Sequence, residues 1–146
     1  KINFSDFQSL HTKSKMKVYA ISKRIMMANT ISLKKSLENS SIDVNITHPG
    51  ICATELFTKS HSKLFNIFVY PLMKIVFHSP KKAALNIIKA IFVETNENEW
   101  VAPRGLFGAW GYPKVLRFKK IIYDASVIEQ VSDITADMIS RHCEKK

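Results

Sequence analysis

Ile42-Asp43-Val44-Asn45-Ile46-Thr47-His48, followed directly by Pro49-Gly50, is the stretch that decides the fold class of this 146-residue chain. Its first seven residues alternate β-branched and polar side chains with a period of two, which predicts a strand over residues 42–48. Proline and glycine break regular structure strongly, so Pro49-Gly50 predicts that this strand ends in an abrupt turn. The elements on either side decide what kind of sheet the strand joins.

Helices are predicted on both sides of this strand. Upstream, apolar side chains recur at helical spacing from Met16 to about Glu38, and no glycine or proline interrupts them. Downstream, Ser79-Pro80 combines a capping hydroxyl with proline at the first helical position, which predicts a helix that runs to about Glu94. A last amphipathic helix is predicted from about Asp124.

A second strand is predicted around Trp100-Val101, and the glycines and prolines of residues 103–113 predict a loop after it. Strands separated by helices are typical of parallel sheets, because a parallel connection needs a crossover. Two strands alone do not make a stable sheet. The pattern therefore predicts an α/β fold with a parallel sheet that is incomplete.

Composition and charge argue against several kinds of function. The formal net charge is +10, yet the lysines are scattered and accompany no nucleic-acid-binding motif, so no nucleic-acid partner is expected. The five histidines and two cysteines show no metal-ligand spacing, so no metal site is expected. Cys52 and Cys143 are interpreted as unpaired thiols in a reducing, cytoplasmic environment.

Residues 64–77 form a strongly apolar segment. The segment is too short to span a bilayer, which needs about 20 apolar residues. Pro71 and Lys74 also interrupt it. We expect a short helix pair that lines an apolar cleft or touches a membrane surface, which leaves peripheral membrane contact open.

Tyr19 and Lys23 are four residues apart on the first predicted helix, and this spacing places a phenol and an ammonium on one face. A free tyrosine, with a pKa near ~10, is a poor base at neutral pH. A neighbouring cation stabilises the phenolate and so prepares a tyrosine for proton transfer. On spacing alone, however, a chance pair on an ordinary amphipathic helix is the simpler interpretation.

The surrounding motifs favour a functional interpretation of the Tyr19–Lys23 pair over a chance one. Residues 19–23 read YAISK, and residues 44–56 read VNITHPGICATEL. A YxxSK helix followed by a VNxxHPGxxxTEL segment resembles the short-chain dehydrogenase/reductase family. Residues 2–9 resemble the segment before the catalytic helix in the retinol-dehydrogenase-like branch, and residues 110–114 resemble that branch's tail. The resemblance therefore covers essentially the whole chain.

This resemblance implies an incomplete Rossmann-type parallel sheet with flanking helices, the C-terminal half of a doubly wound fold. Residues 1–146 would form the C-terminal part of one dehydrogenase domain. The catalytic helix would lie at about 16–38, the Pro-Gly loop at 49–54 and the substrate region at 55–78. The apolar character of the substrate region suggests an apolar alcohol or carbonyl as the small-molecule substrate.

The resemblance also implies two catalytic residues. Tyr19 would be the general acid/base that protonates the carbonyl oxygen or deprotonates the alcohol. Lys23 would stabilise the tyrosine phenolate and hydrogen-bond the nicotinamide ribose. Both residues would therefore contact the cofactor and also take part in the proton transfer.

The cofactor implied by the resemblance is NAD or NADP, which would carry the hydride. Pro49, Gly50 and Ile51 would form the loop against the nicotinamide, and Thr54 would reach the carboxamide or the pyrophosphate. Ligands of open parallel sheets lie outside the carboxyl ends of the strands, which agrees with this position after the predicted strand.

The chain is thus expected to be an NAD(P)-dependent oxidoreductase that interconverts an alcohol and a carbonyl. It departs from the family pattern in lacking the glycine-rich TGxxxGxG fingerprint and the NAG motif. The family's catalytic serine and asparagine belong upstream of Lys1, and no residue is positioned to distinguish NAD from NADP. The isolated 146-residue piece is therefore expected to be inactive.

Two other interpretations stay open. A degenerate, non-enzymatic remnant could use its apolar surfaces as a binding or assembly module, and a homo-oligomer is one such assembly. A membrane-surface protein could use residues 64–77 with the basic residues around them. A glycine-rich segment in frame before Lys1 would favour the enzyme over the remnant.

Overall fold

A computed structural model describes residues 2–52, 78–105, 108–118 and 124–144, together with Ile67 and Pro71. The chain divides into two compact units. The first comprises Lys1–Val44 and Phe118–Lys146, and the second comprises Asn45–Arg117. The described residues form three α-helices, one two-stranded sheet and a short 3-10 turn at Phe4–Asp6.

The first unit contains helix α1, Lys15–Ser36, and the last helix of the chain, which we label α3, Ala125–Cys143. Each helix begins with a side chain that accepts from a free backbone N–H of the first turn. The Ser14 hydroxyl accepts from Lys17, and the Asp124 carboxylate accepts from Ser126. These boundaries confirm the helices predicted at 16–38 and from about Asp124.

Helices α1 and α3 pack together through small and polar side chains. The Asn29 amide donates a 3.0 Å hydrogen bond to the Thr135 hydroxyl, and the Ser32 hydroxyl donates one of 3.0 Å to Ser132. The buried side chains around this contact are Ala28, Ile31 and Val131. Because polar groups at the contact are paired with each other, their burial costs little.

The second unit is organised by an antiparallel hairpin. Strand β1, Glu99–Pro103, pairs with strand β2, Pro113–Arg117, in a register that places Val101 opposite Val115. Val101 and Ala102 are completely buried. At the open end, the Arg117 guanidinium lies 3.5 Å from the Glu99 carboxylate.

Helix α2, Pro80–Phe92, packs against both strands of this hairpin. The Ser79 hydroxyl accepts from the Lys82 N–H, so the helix starts at the predicted Ser79-Pro80 signal. At the other end, the Asn45 amide donates to the carbonyl oxygens of Ala90 and Val93, at 2.9 and 3.1 Å. These bonds satisfy carbonyls that a helix leaves free at its C-terminus.

The prediction of a strand over residues 42–48 is wrong in extent. Within the described ranges only Thr47 pairs, in a single parallel bridge to Val101. The Val101 N–H donates to the Ile46 carbonyl and its carbonyl accepts from His48 N–H, at 2.9 and 2.8 Å. In the described residues the pairing with β1 does not extend beyond this bridge, so the alternating pattern is not sufficient by itself to form a ladder.

The mixed α/β class is confirmed, whereas the expected parallel sheet is not shown. The described sheet is antiparallel, because the loop after β1 reverses the chain and returns it beside β1 as β2. Parallel pairing in the described ranges is limited to the isolated bridges Thr47–Val101 and Cys52–His78. Strand β2 was not predicted, since Pro113–Arg117 has no period-2 alternation.

None of the helices in the described part of the chain combines the length and apolarity needed to cross a bilayer. The apolar segment 64–77 lies outside the described residues except for Ile67 and Pro71, so its predicted helices stay a prediction. Cys52 and Cys143 are both free thiols, as expected.

Candidate active site

Helix α1 holds Tyr19 and Lys23 one turn apart on an exposed face. The Nζ atom of Lys23 lies 5.7 Å from the centroid of the Tyr19 ring, which is within the range of a cation–π contact. The Tyr19 side chain is 58% exposed. In the described part of the structure, neither the Tyr19 hydroxyl nor the Lys23 ammonium has a hydrogen-bond partner. Both side chains are exposed.

The backbone around this pair is regular helix. The Ser22 hydroxyl, which lies between the two residues, donates a 2.9 Å hydrogen bond to the Tyr19 carbonyl. This contact within the helix satisfies Ser22 locally. Ser22 is therefore a small helix residue here and not part of the Tyr19–Lys23 pair.

The Pro-Gly turn is held by three distant parts of the second unit. Gly50 has a φ of +83°, a conformation that glycine adopts readily. A Cβ atom on Gly50 would lie 2.7 Å from the Ala109 carbonyl oxygen and 3.0 Å from both His78 Cδ2 and Pro103 Cγ. No larger residue fits this position without movement of the surrounding backbone.

Hydrogen bonds fix the residue after Gly50 as well. The Ile51 N–H donates to the Ala109 carbonyl at 2.9 Å, and the Ile51 carbonyl accepts from the His78 N–H at 3.1 Å. The Ile51 side chain remains exposed. The turn thus has a fixed backbone and presents an apolar side chain outward.

The His48 side chain helps to fix the turn. Its Nδ1 atom accepts a 2.9 Å hydrogen bond from the Gly50 N–H, and its ring meets the Trp100 ring edge-on at 5.7 Å. Desolvation lowers the pKa of His48. A neutral imidazole is the form that can accept at Nδ1, so the lowered pKa and the hydrogen bond agree. His48 therefore belongs to the turn and is not a candidate base.

His78 was missed by sequence reasoning, which placed it only at the end of the substrate region. Its side chain is 5% exposed, and its Nε2 atom has no hydrogen-bond partner within the described ranges. Burial lowers the pKa of His78, and the nearby charge of Lys82 lowers it further. The only local signal in the sequence is its position just before the Ser79-Pro80 helix start.

The predicted site residues fall in both units. Tyr19 and Lys23 come together on α1 in the first unit, whereas residues 49–51 form the turn in the second unit. Thr54 lies outside the described residues, as does the predicted substrate region 55–78 apart from Ile67, Pro71 and His78.

A cavity of about 590 Å³ lies elsewhere in the first unit, between the N-terminal segment, α1 and the end of α3. Its wall includes Phe7, Ile25, Met138 and Ile139 and none of the predicted site residues. Within the described ranges, no three histidine, cysteine or acidic side chains lie close enough to hold a metal ion.

No protein-family model, curated protein or solved structure matches this chain. The functional interpretation therefore depends on the residues themselves.

Proposed function

We propose that this chain is the C-terminal half of a short-chain dehydrogenase/reductase domain that interconverts an alcohol and a carbonyl with NAD or NADP. The observation that carries the proposal is the exposed Tyr19–Lys23 pair, with Lys23 Nζ 5.7 Å from the tyrosine ring. The same chain contains a conformationally fixed Pro-Gly turn, as such a domain requires. The complete domain would have a parallel Rossmann-type sheet, of which the Thr47–Val101 bridge would be one pairing.

Tyr19 would transfer the proton. In the reductive direction its hydroxyl would donate the proton to the carbonyl oxygen of the substrate, and in the oxidative direction its phenolate would remove the alcohol proton. Lys23, whose Nζ atom lies 5.7 Å from the centroid of the Tyr19 ring, would stabilise the negative charge that develops on the tyrosine oxygen during the reaction. When bound, the nicotinamide cofactor supplies or accepts the hydride.

The residues present are compatible with a nicotinamide ring and its ribose. The Lys23 ammonium has no ion-pair partner in the described part of the chain and could donate to ribose hydroxyls. Pro49, Gly50 and Ile51 would form the surface against the nicotinamide, since the Ile51 side chain is exposed and the turn is fixed. Thr54 would complete the contact with the carboxamide or the pyrophosphate.

The substrate would be a small apolar alcohol or carbonyl compound, in keeping with the apolar composition of residues 55–78. The environment would be the reducing cytoplasm, which would keep Cys52 and Cys143 as free thiols. The dinucleotide phosphates need a glycine-rich turn and the helix N-terminus after it, which the other half of the domain would supply.

The test is a fusion of this chain, at Lys1, to the dinucleotide-binding half of a characterised short-chain dehydrogenase. Oxidation of NADH and NADPH would be followed with a panel of apolar aldehydes and ketones. Tyr19→Phe should reduce kcat by roughly 10²–10⁴-fold, the usual range for a lost general acid. Tyr112→Phe, which changes another exposed tyrosine, is the matched control and should keep the parent rate. A Tyr19→Phe fusion as active as its parent would overturn the proposal.

A second candidate function is a non-enzymatic binding or assembly module. The observation that favours it is the number of large apolar side chains that helices α1 and α2 leave exposed. A fusion that folds and binds NADPH yet reduces none of the carbonyl compounds would favour this module over the enzyme.

A further inference from the structure

The cavity in the first unit has a mainly apolar wall. Its volume of about 590 Å³ is typical of small-molecule sites. The apolar side chains of the wall come from three elements: Phe7 from the N-terminal segment, Ile25 from α1, and Met138 and Ile139 from α3. A concave surface lined by aromatic, aliphatic and thioether groups favours an apolar ligand.

The N-terminal part of this wall is held in place by Asp6. The Oδ1 atom of Asp6 accepts a hydrogen bond from the Leu10 N–H at 2.8 Å, and its Oδ2 atom accepts one from the His11 N–H at 3.1 Å. The Phe7 ring stacks with the Phe4 ring, and their centroids are 6.5 Å apart. Phe7 is therefore fixed without a ligand, so a ligand would not have to order this part of the wall.

Polar side chains of the wall already have partners. The Asn29 amide donates to the Thr135 hydroxyl at 3.0 Å and so connects α1 with α3. Arg141 is the only permanently charged side chain in the described part of the wall. Its Nε and Nη2 atoms contact the Asp137 carboxylate at 2.9 and 2.8 Å. An anionic ligand would therefore lose hydration here without gaining an unpaired positive charge.

We infer that this cavity binds a small, neutral, aromatic molecule. A planar ring would lie against the Phe7 ring and the Met138 thioether, because both groups contact aromatic rings favourably. The ligand would be neutral, because Asp137 already balances the charge of Arg141.

The cavity is separate from the proposed catalytic pair. Ile25 and Asn29, which form the α1 part of the wall, lie about 120° around the helix from Tyr19 and Lys23. A ligand in the cavity would leave the face that carries Tyr19 and Lys23 free. The site therefore goes beyond the proposed dehydrogenase activity and does not depend on it.

Titration with N-phenylnaphthylamine tests the site, because this probe is neutral and aromatic and its fluorescence rises in apolar surroundings. The 146-residue chain should bind the probe with a dissociation constant on the order of 10 µM. Naphthalenemethanol should displace it. Naphthoate, which has the same rings and a carboxylate, should need concentrations at least about tenfold higher.

A charge in the wall should disturb binding. Ile139→Asp should weaken probe binding at least about tenfold, and its 59% exposure makes the substitution tolerable to the fold. Leu33→Asp is the matched control, because Leu33 is also an exposed apolar residue near the C-terminal end of a helix but lies outside the wall. It should bind the probe as the parent does. Circular dichroism melts should show that both variants remain folded.

The contact with Phe7 can be tested separately. Phe7→Leu should weaken binding of the probe by about threefold or more, because it removes the aromatic contact. Phe4→Leu removes the same Phe4–Phe7 stacking, yet Phe4 is not part of the wall, so this control should keep the parent affinity. Equal weakening in the two variants would contradict a ring contact at Phe7.

The thiol of Cys143 lies in the wall and reports whether the cavity is occupied. In a Cys52→Ser chain, saturating naphthalenemethanol should slow alkylation of Cys143 by N-ethylmaleimide about threefold or more, since thiol reactivity depends on access. Ala136→Cys, in a chain without the two native cysteines, is the control. Position 136 is exposed on α3 outside the wall, so its alkylation rate should not change.

Four outcomes would overturn the site. They are a lack of saturable probe binding below about 100 µM, naphthoate that displaces the probe as well as naphthalenemethanol does, Ile139→Asp that binds as tightly as the parent, and alkylation of Cys143 at the same rate with and without ligand.

Discussion

The Thr95 hydroxyl donates a 2.6 Å hydrogen bond to Oδ1 of Asn45, fifty residues earlier in the chain. The Asn45 amide group donates in turn to the carbonyls of Ala90 and Val93 at the end of α2. One side chain thus connects the segment before the Pro-Gly turn, the end of a helix and the start of the loop that leads to β1.

Asn45→Ala should destabilise the second unit by about 2–3 kcal/mol, because it removes three hydrogen bonds and leaves partly buried carbonyls without a partner. Urea denaturation followed by circular dichroism measures the change. Asn98→Ala is the control, since Asn98 makes no side-chain hydrogen bond within the described ranges, and it should stay within about 0.5 kcal/mol of the parent. Equal effects of the two substitutions would contradict the role assigned to Asn45.

Gly50→Ala should lower the free energy of unfolding by about 2 kcal/mol or more. The added methyl group would lie 2.7 Å from the Ala109 carbonyl oxygen, and the positive φ of this position disfavours residues other than glycine. Gly108→Ala is the matched control. Gly108 also has a positive φ, of +68°, but its nearest neighbour to a new Cβ is 3.8 Å away. Gly108→Ala should therefore lower the free energy of unfolding only by the cost of placing alanine at a positive φ, about 1 kcal/mol. A Gly108 variant less stable than the Gly50 variant would refute the steric account of the turn.

The stability of the chain should fall as the pH drops below about 6.5, the ordinary pKa of histidine. Desolvation lowers the folded-state pKa values of His48 and His78, so the unfolded chain binds protons more readily in this window. The stability linked to both groups is complete above the unfolded pKa and is lost as the pH falls towards the folded values.

His48→Asn should reduce this pH dependence, because asparagine does not titrate and its side-chain oxygen can still accept from the Gly50 N–H. Thermal unfolding midpoints between about pH 7 and pH 5 measure the effect. Asn98→Ala, at a position without a titrating group, is the control and should keep the parent's pH profile. If the His48 variant also keeps that profile, the protonation of His48 does not limit stability.

Lys23→Ala, in the fusion described above, should damage both cofactor binding and turnover. Loss of the ammonium removes the proposed ribose contact and the cation that favours the phenolate, so kcat/KM should fall by roughly 10²-fold or more. The adjacent Arg24→Ala removes an exposed positive charge at a neighbouring position and is the control. Steady-state kinetics at varied NADPH concentrations separates the effect on cofactor binding from the effect on turnover. Equal losses in Lys23→Ala and Arg24→Ala would show a general effect of positive charge.

The sequence alone was sufficient to predict the three described helices and the proximity of Tyr19 and Lys23 on one helix face. Helical hydrogen bonds close within four residues, so local signals such as Ser79-Pro80 and Asp124 determine where α2 and α3 begin. The proximity of Tyr19 and Lys23 follows from the same geometry, because residues four apart share a helix face. Whether that pair performs chemistry stays a prediction.

Tertiary structure decided the sheet and the surroundings of the turn. The alternation of residues 42–48 specified a strand-like pattern, but within the described ranges its pairing is limited to one bridge, between Thr47 and Val101 of β1. Gly50 lies close to Ala109, Pro103 and His78. No local sequence pattern indicates that these residues are its neighbours. Strand pairing and turn packing join distant parts of the chain, whereas helix formation does not, and this difference separates what could be predicted from what could not.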